Sequence, residues 1–112
     1  MKKLVISVKK WLRGVNTEST LRNKNGCMCC LGFLARDCGA TVKDILNKTT
    51  PMMVPDISWP KDLLTSDELG VLDSRLSSEI VSVNDNTSLS LKEKQSQLKQ
   101  LFLKIGYRLT FK

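Results

Sequence analysis

Four cysteines fall between positions 27 and 38 of a 112-residue chain, in the stretch Asn25-Gly26-Cys27-Met28-Cys29-Cys30-Leu31-Gly32-Phe33-Leu34-Ala35-Arg36-Asp37-Cys38-Gly39. The stretch begins on an Asn-Gly turn signal, continues as an apolar run and stops on a glycine, the pattern of a turn followed by a buried helix. Its thiols invite three chemical readings. Structural zinc sites use paired ligands about two to four residues apart, whereas Cys29 and Cys30 are adjacent and the chain has no histidine. Disulfides require an oxidising compartment. A catalytic thiolate requires a base or a positive field, and Cys27 or Cys29, near the helix start, is the best-placed candidate. The simplest reading is packing. Cysteine behaves as a small hydrophobe, and a crowded junction between a hairpin and a helix needs small side chains.

The flanking segments supply the rest of an expected single domain over residues 1–112. Leu4, Val8 and Leu12 recur every four residues and predict a helix over 3–13 ending at Gly14, although the isoleucine and valines also allow a strand over 4–8. Thr20-Leu21-Arg22 and Cys27-Met28-Cys29 flank Asn23–Gly26 and read as a small hairpin. Residues 29–38 read as the buried helix, in which Gly32 permits close approach of another backbone. Thr41 is placed to cap a short helix over 42–46.

Pro51, Pro55 and Pro60 make residues 47–64 an irregular strap across the core. Thr65 with Glu68, and Ser90 with Glu93, each match a capping box. The first predicts a helix through Leu69, Leu72, Leu76, Ile80 and Val83 that ends at Asn84-Asp85-Asn86. Asn84 there reads as a helix end, and Asp85 or Asn86 as a turn partner. The second box predicts a helix through Leu91, Leu98, Leu101, Phe102 and Ile105 up to Gly106. Tyr107, Leu109 and Phe111 alternate with polar residues and predict a strand pairing with the early hairpin. The expected fold is α+β, mainly helical, with four to five helices and one small antiparallel sheet.

Charge is unevenly distributed. The formal net charge of +7 divides into +6 over residues 1–24, −4 over 25–86 and +5 over 87–112. Juxtaposed termini would merge two basic faces into a patch that attracts a nucleotide, nucleic acid or an acidic protein surface. The candidate binding residues are therefore Lys2, Lys3, Lys9, Lys10, Arg13, Arg22, Lys24 and Arg108, with Trp11 or Tyr107 for stacking in a nucleic-acid mode. Solvated helix faces are the alternative use of the same lysines. No glycine-rich phosphate loop or metal-spaced acidic cluster occurs, so no catalytic residues, cofactor or metal are expected. No apolar run approaches a membrane span, and the N-terminal run is too short for a signal peptide.

Trp11-Leu12-Arg13-Gly14, then Gly26-Cys27-Met28-Cys29-Cys30-Leu31-Gly32, then Val83-Asn84-Asp85 follow one another with intervening spacing that resembles a diffuse group of small uncharacterised bacteriophage and prophage accessory proteins. The group's pattern is Gly-x-x-Cys-Cys-Leu-Gly followed by a later helix ending in Asn-Asp. The match covers roughly residues 8–105; Ser90-Leu91 stands where the group has Ser-Phe, and the alternating tail is extra. The resemblance implies a phage accessory role in the host bacterial cytoplasm, without catalytic residues. The expected function is to bind and block or sequester a host component, in antiviral defence, with direct nucleic-acid binding or a nucleotide-signal sponge as alternatives.

The core expected from these patterns comprises Cys29, Cys30, Leu31, Leu34, Leu72, Leu76, Ile80, Leu98, Leu101, Phe102 and Ile105. Leu34→Ala and Leu101→Ala should each lower the stability by about 2–5 kcal/mol. Urea denaturation checks this, and unchanged midpoints would remove both residues from the core.

Overall fold

The structure, a computed structural model, describes residues 1–14, 20–54, 57–63, 65–66, 72–73 and 75–112. In chain order its elements are β1 (Lys2–Ile6), α1 (Cys30–Asp37), α2 (Val42–Ile45), β2 (Thr65–Ser66), β3 (Leu72–Asp73), α3 (Arg75–Asp85), α4 (Leu91–Leu103) and β4 (Tyr107–Phe111). Single 3-10 turns form at Val8–Lys10 and Pro51–Met53.

The helix expected over 3–13 is replaced by β1 and the first 3-10 turn. A spacing of four fits a strand as well as a helix, because it is twice the strand period. Ile6 decides between them. Leu4 and Ile6 are buried while Lys3 and Val5 are exposed, an alternation that only a strand satisfies.

The sheet also differs from expectation. Its two five-residue strands, β1 and β4, run parallel, with Lys2 opposite Tyr107, Lys3 opposite Arg108, Leu4 opposite Leu109, Val5 opposite Thr110 and Ile6 opposite Phe111. The antiparallel sheet is thereby overturned; among the named strands, the antiparallel pair is β2 with β3, of two residues each. A parallel pair needs a long crossover between its strands, and here the crossover contains all four α-helices. α1 packs against β1 and α4 against β4. Leu4, Ile6, Tyr107 and Leu109 are thus buried on one side of the sheet.

The tail pairs with β1 rather than with the early hairpin, whose backbone is engaged elsewhere. Within the hairpin, the Asn23 amide donates to the Cys27 carbonyl at 2.8 Å and the Cys29 amide to the Thr20 carbonyl at 3.0 Å. Its outer groups bridge to other segments, Met28 to Trp11 and Arg22 to Leu46, both in parallel sense.

Both short-range caps at Thr41 and Ser90 form. The Thr41 hydroxyl accepts from the Asp44 amide while the Asp44 carboxylate accepts from the Thr41 amide, and Ser90 and Glu93 repeat the arrangement. The corresponding pattern at Thr65 does not start a helix. Thr65–Ser66 is extended against Leu72–Asp73, and α3 spans Arg75–Asp85. Gly70 falls inside the expected helix, where glycine costs about 1 kcal/mol relative to alanine. Leu69 and the side chain of Leu72 lie outside the described residues. The strap is present on either side of residues 55–56, with Val54 and Leu63 buried and the Trp59 indole donating to the Val54 carbonyl at 2.7 Å.

The core gathers Leu31, Leu34, Ile80, Leu98, Leu101, Phe102 and Ile105 with Cys29 and Cys30, as expected, and adds Leu21, Ile45 and Trp11. Leu76 is only partly buried. Gly32 sets the closest approach in this core. A Cβ at that position would land on the Leu21 carbonyl oxygen and lie 2.9 Å from the Met28 Cβ, so hairpin backbone occupies the space of the missing side chain. Gly32→Ala should destabilise the fold by roughly 1–3 kcal/mol through overpacking, measured as a lower urea midpoint. A midpoint equal to that of the parent would contradict the close approach.

Candidate functional site

Two features emerge from the residues singled out by sequence, one electrostatic and one structural. The electrostatic feature is the outer side of the sheet. Lys3, Val5, Arg108 and Thr110 point away from the helices, and the register sets Lys3 directly beside Arg108. The pairing thus brings one basic residue from each end of the chain side by side. Lys2, opposite Tyr107, belongs to the other face of the pair, with its ammonium 5.8 Å from the Tyr107 ring centroid. Lys9 and Lys10 follow β1 on the exposed 3-10 turn.

The other candidates are placed differently. Arg22 and Lys24 belong to the hairpin, whose bridges run to Leu46 and Trp11 and not to the strand pair. The Arg22 guanidinium folds back over its own turn, within 3.2 Å of where a Gly26 Cβ would stand. Arg13 is half-buried, with its guanidinium 5.7 Å from the Trp11 ring centroid.

Neither aromatic residue proposed for stacking is accessible. Trp11 is 5% exposed and packs against Phe111 with ring centroids 4.8 Å apart. Tyr107 is 3% exposed, and its hydroxyl donates to the Asp37 carboxylate at 2.9 Å. Burial and that hydrogen bond hold the phenol strongly in its neutral form.

The structural feature is a knot around Asn84. This side chain is 1% exposed and makes four hydrogen bonds. Its Oδ1 accepts from the Trp11 indole at 2.7 Å and from the Cys30 amide at 3.2 Å. Its Nδ2 donates to the Leu12 carbonyl and to the Asp85 carboxylate, both at 2.8 Å. Cys29, the N-cap residue of α1, provides no side-chain cap, so Asn84 satisfies an orphan amide of a helix to which it does not belong. Gly14 completes the knot. It adopts φ +78°, and a Cβ there would come within 3.0 Å of the Asp85 Cα. The three motifs Trp11–Gly14, Cys29–Gly32 and Asn84–Asp85 therefore meet at one point.

Sequence reading treated Asn84 as a helix end and so missed this role. A signal was present, since Ser77, Ile80 and Asn84 follow one another at helical spacing and share the buried stripe of α3. Asn86 does make the expected turn contact, its side-chain oxygen accepting from the Ser88 amide at 2.9 Å.

Beside the knot, Lys94 of α4 is 3% exposed, and its ammonium donates to the Arg13 carbonyl at 3.1 Å. Burial, together with the Arg13 charge, lowers its pKa, an effect that Asp85 partly offsets.

The cysteines are placed for packing. Cys29 and Cys30 are buried and Cys27 and Cys38 half-buried, all as free thiols. Burial pushes the Cys29 thiol up to about 11 and raises that of Cys30. Cys38 is also raised, chiefly by burial. A thiolate nucleophile at Cys29 is thus disfavoured. Among the described residues no group of three or more cysteine, aspartate or glutamate side chains converges to hold a metal, and no helix is long and apolar enough to cross a membrane.

No protein-family model matches the chain, and no curated protein or solved structure matches it.

Replacing Asn84 with leucine would strand the Trp11 and Cys30 N–H groups and the Leu12 carbonyl in the interior, each at about 1–3 kcal/mol. Asn84→Leu should therefore lower stability by at least roughly 3 kcal/mol. The check is urea denaturation followed by Trp fluorescence, in which an unaltered midpoint would deny the knot its structural role.

Proposed function

We propose that this chain is a non-enzymatic binding protein of bacteriophage origin. It blocks or sequesters an acidic host component, in antiviral defence, from within the bacterial cytoplasm. The observation that carries this reading is the parallel pairing of β1 with β4, which sets Lys3 against Arg108 and joins the two basic ends of the chain. A cationic surface of this kind steers an acidic partner into contact and suppresses mismatched ones. Lys9 and Lys10 extend it along the exposed turn after β1. The phage origin rests on the motif pattern, and the knot adds support by giving its three separated pieces one shared structural purpose.

Of the alternatives, nucleic-acid binding by base stacking loses its two aromatic candidates, since Trp11 and Tyr107 are buried and hydrogen-bonded. A protein or nucleotide partner fits the sheet face without them.

The test is affinity capture from bacterial lysate followed by native mass spectrometry. The parent protein should retain a specific host protein or metabolite. Lys3→Glu combined with Arg108→Glu should weaken that capture by roughly tenfold, equivalent to about 1.4 kcal/mol, while the unfolding midpoint stays the same. Failure of the parent protein to retain any specific component, or equal capture by the double variant, would refute the proposal.

A further inference from the structure

Lys94 presents a charge imbalance among the described residues. Its ammonium carries three donors and a full charge, yet it is 3% exposed and has the neutral Arg13 carbonyl as its hydrogen-bond partner. Buried charges are normally paired with a counter-charge. No carboxylate lies within ion-pair distance of Lys94 among the described residues. Asp85 acts on it only at longer range, and the Asp85 carboxylate is itself bonded to the Asn84 amide.

The Lys94 side chain lines a cavity of about 210 Å³ together with Arg13, Thr87, Leu89 and Leu91. Arg13 brings a second cation to the same cavity, steadied against the face of Trp11. Trp11 is in turn held by Asn84, so the knot preorganises one wall of the cavity. Thr87 is exposed at the rim and adds a hydroxyl. Leu91 opens α4, a helix of 13 residues whose N-terminal dipole also favours negative charge nearby. The Glu93 carboxylate at that helix start is exposed and engaged with the Ser90 amide.

We infer that the cavity between Arg13 and Lys94 is a binding site for a terminal phosphoryl group, either that of a small nucleotide monophosphate or inorganic phosphate itself. Two cations match the charge of a monoester, about −1.5 to −2 at neutral pH, better than that of a diester. The cavity volume accommodates a phosphoryl group and part of what it is attached to, but not a nucleic-acid strand. Arg13 supplies a planar fork for two oxygens, and Lys94 supplies a point charge from the buried side. The site is separate from the outer sheet face and stands without the reading proposed for that face.

The test is isothermal titration of the full chain with inorganic phosphate and, separately, with adenosine 5′-monophosphate, in chloride buffer of constant ionic strength. Saturable one-site binding of either probe is expected. Tighter binding of the monophosphate identifies a nucleotide as the natural occupant, and equal affinities identify phosphate; both support the site. Arg13→Gln, which leaves the backbone carbonyl that Lys94 uses, should weaken binding about tenfold or more with little change in the unfolding midpoint. Lys94→Met should abolish binding; should that variant fail to fold, Arg13→Gln alone decides. No saturable heat with either probe, or equal affinity in the parent and Arg13→Gln proteins, would overturn the inference.

Discussion

One primary amide holds the separate parts of this fold in register. Asn84 has two donors and two acceptor sites, and four protein groups satisfy it: the Trp11 indole, the Cys30 amide, the Leu12 carbonyl and the Asp85 carboxylate. These groups come from the segment after β1, the start of α1 and the end of α3. Hydrophobic burial would tolerate sliding among these elements, since apolar contact is non-directional. Four directional bonds in a low-dielectric interior do not, because displacement of any element strands a buried polar group. Gly14 and Gly32 serve the same end, as one lies against Asp85 and the other against the Leu21 carbonyl.

The cysteine-rich stretch gains its meaning from this arrangement. Its contribution to the knot is backbone rather than sulfur. Cys30 offers its amide to Asn84, and the Cys29 carbonyl accepts from the Gly32 amide at 2.9 Å while the Cys29 amide reaches the Thr20 carbonyl. The small, buried thiols let hairpin and helix come close enough for those bonds. Raised thiol pKa values are a by-product of that burial, not a device for reactivity. Lys3 and Arg108, by contrast, take no part in the core, and the pairing of β1 with β4 sets them on a face that the packing leaves open.

Local chemistry was the legible part of the sequence. The caps at Thr41 and Ser90, the buried helix ending at Gly39, and most of the apolar core each depend on residues a few positions apart. The same locality misled at Thr65, which pairs as a strand with Asp73 instead of capping a helix. It misled again over 3–13, where a four-residue spacing suits two different periods. The parallel partnership of β1 with β4 and the bonds of Asn84 to Trp11 and Leu12 join positions more than seventy residues apart. No local pattern encodes such pairings. The candidate surface was legible as charge at both ends of the chain, and its coherence followed only from the strand register. Lys94 was unremarkable as one lysine among several on an amphipathic helix, and only tertiary packing distinguishes it.

The pairing of Lys2 with Tyr107 also imposes an order in time. A ribosome makes β1 before α1 to α4 and its partner strand after them. Throughout synthesis of the intervening chain, Leu4 and Ile6 have no strand beside them, and the Asn84 that anchors the following segment does not yet exist. Lys2, Lys3, Lys9 and Lys10 flank that apolar segment, and charges beside an unpaired strand oppose its pairing with another chain.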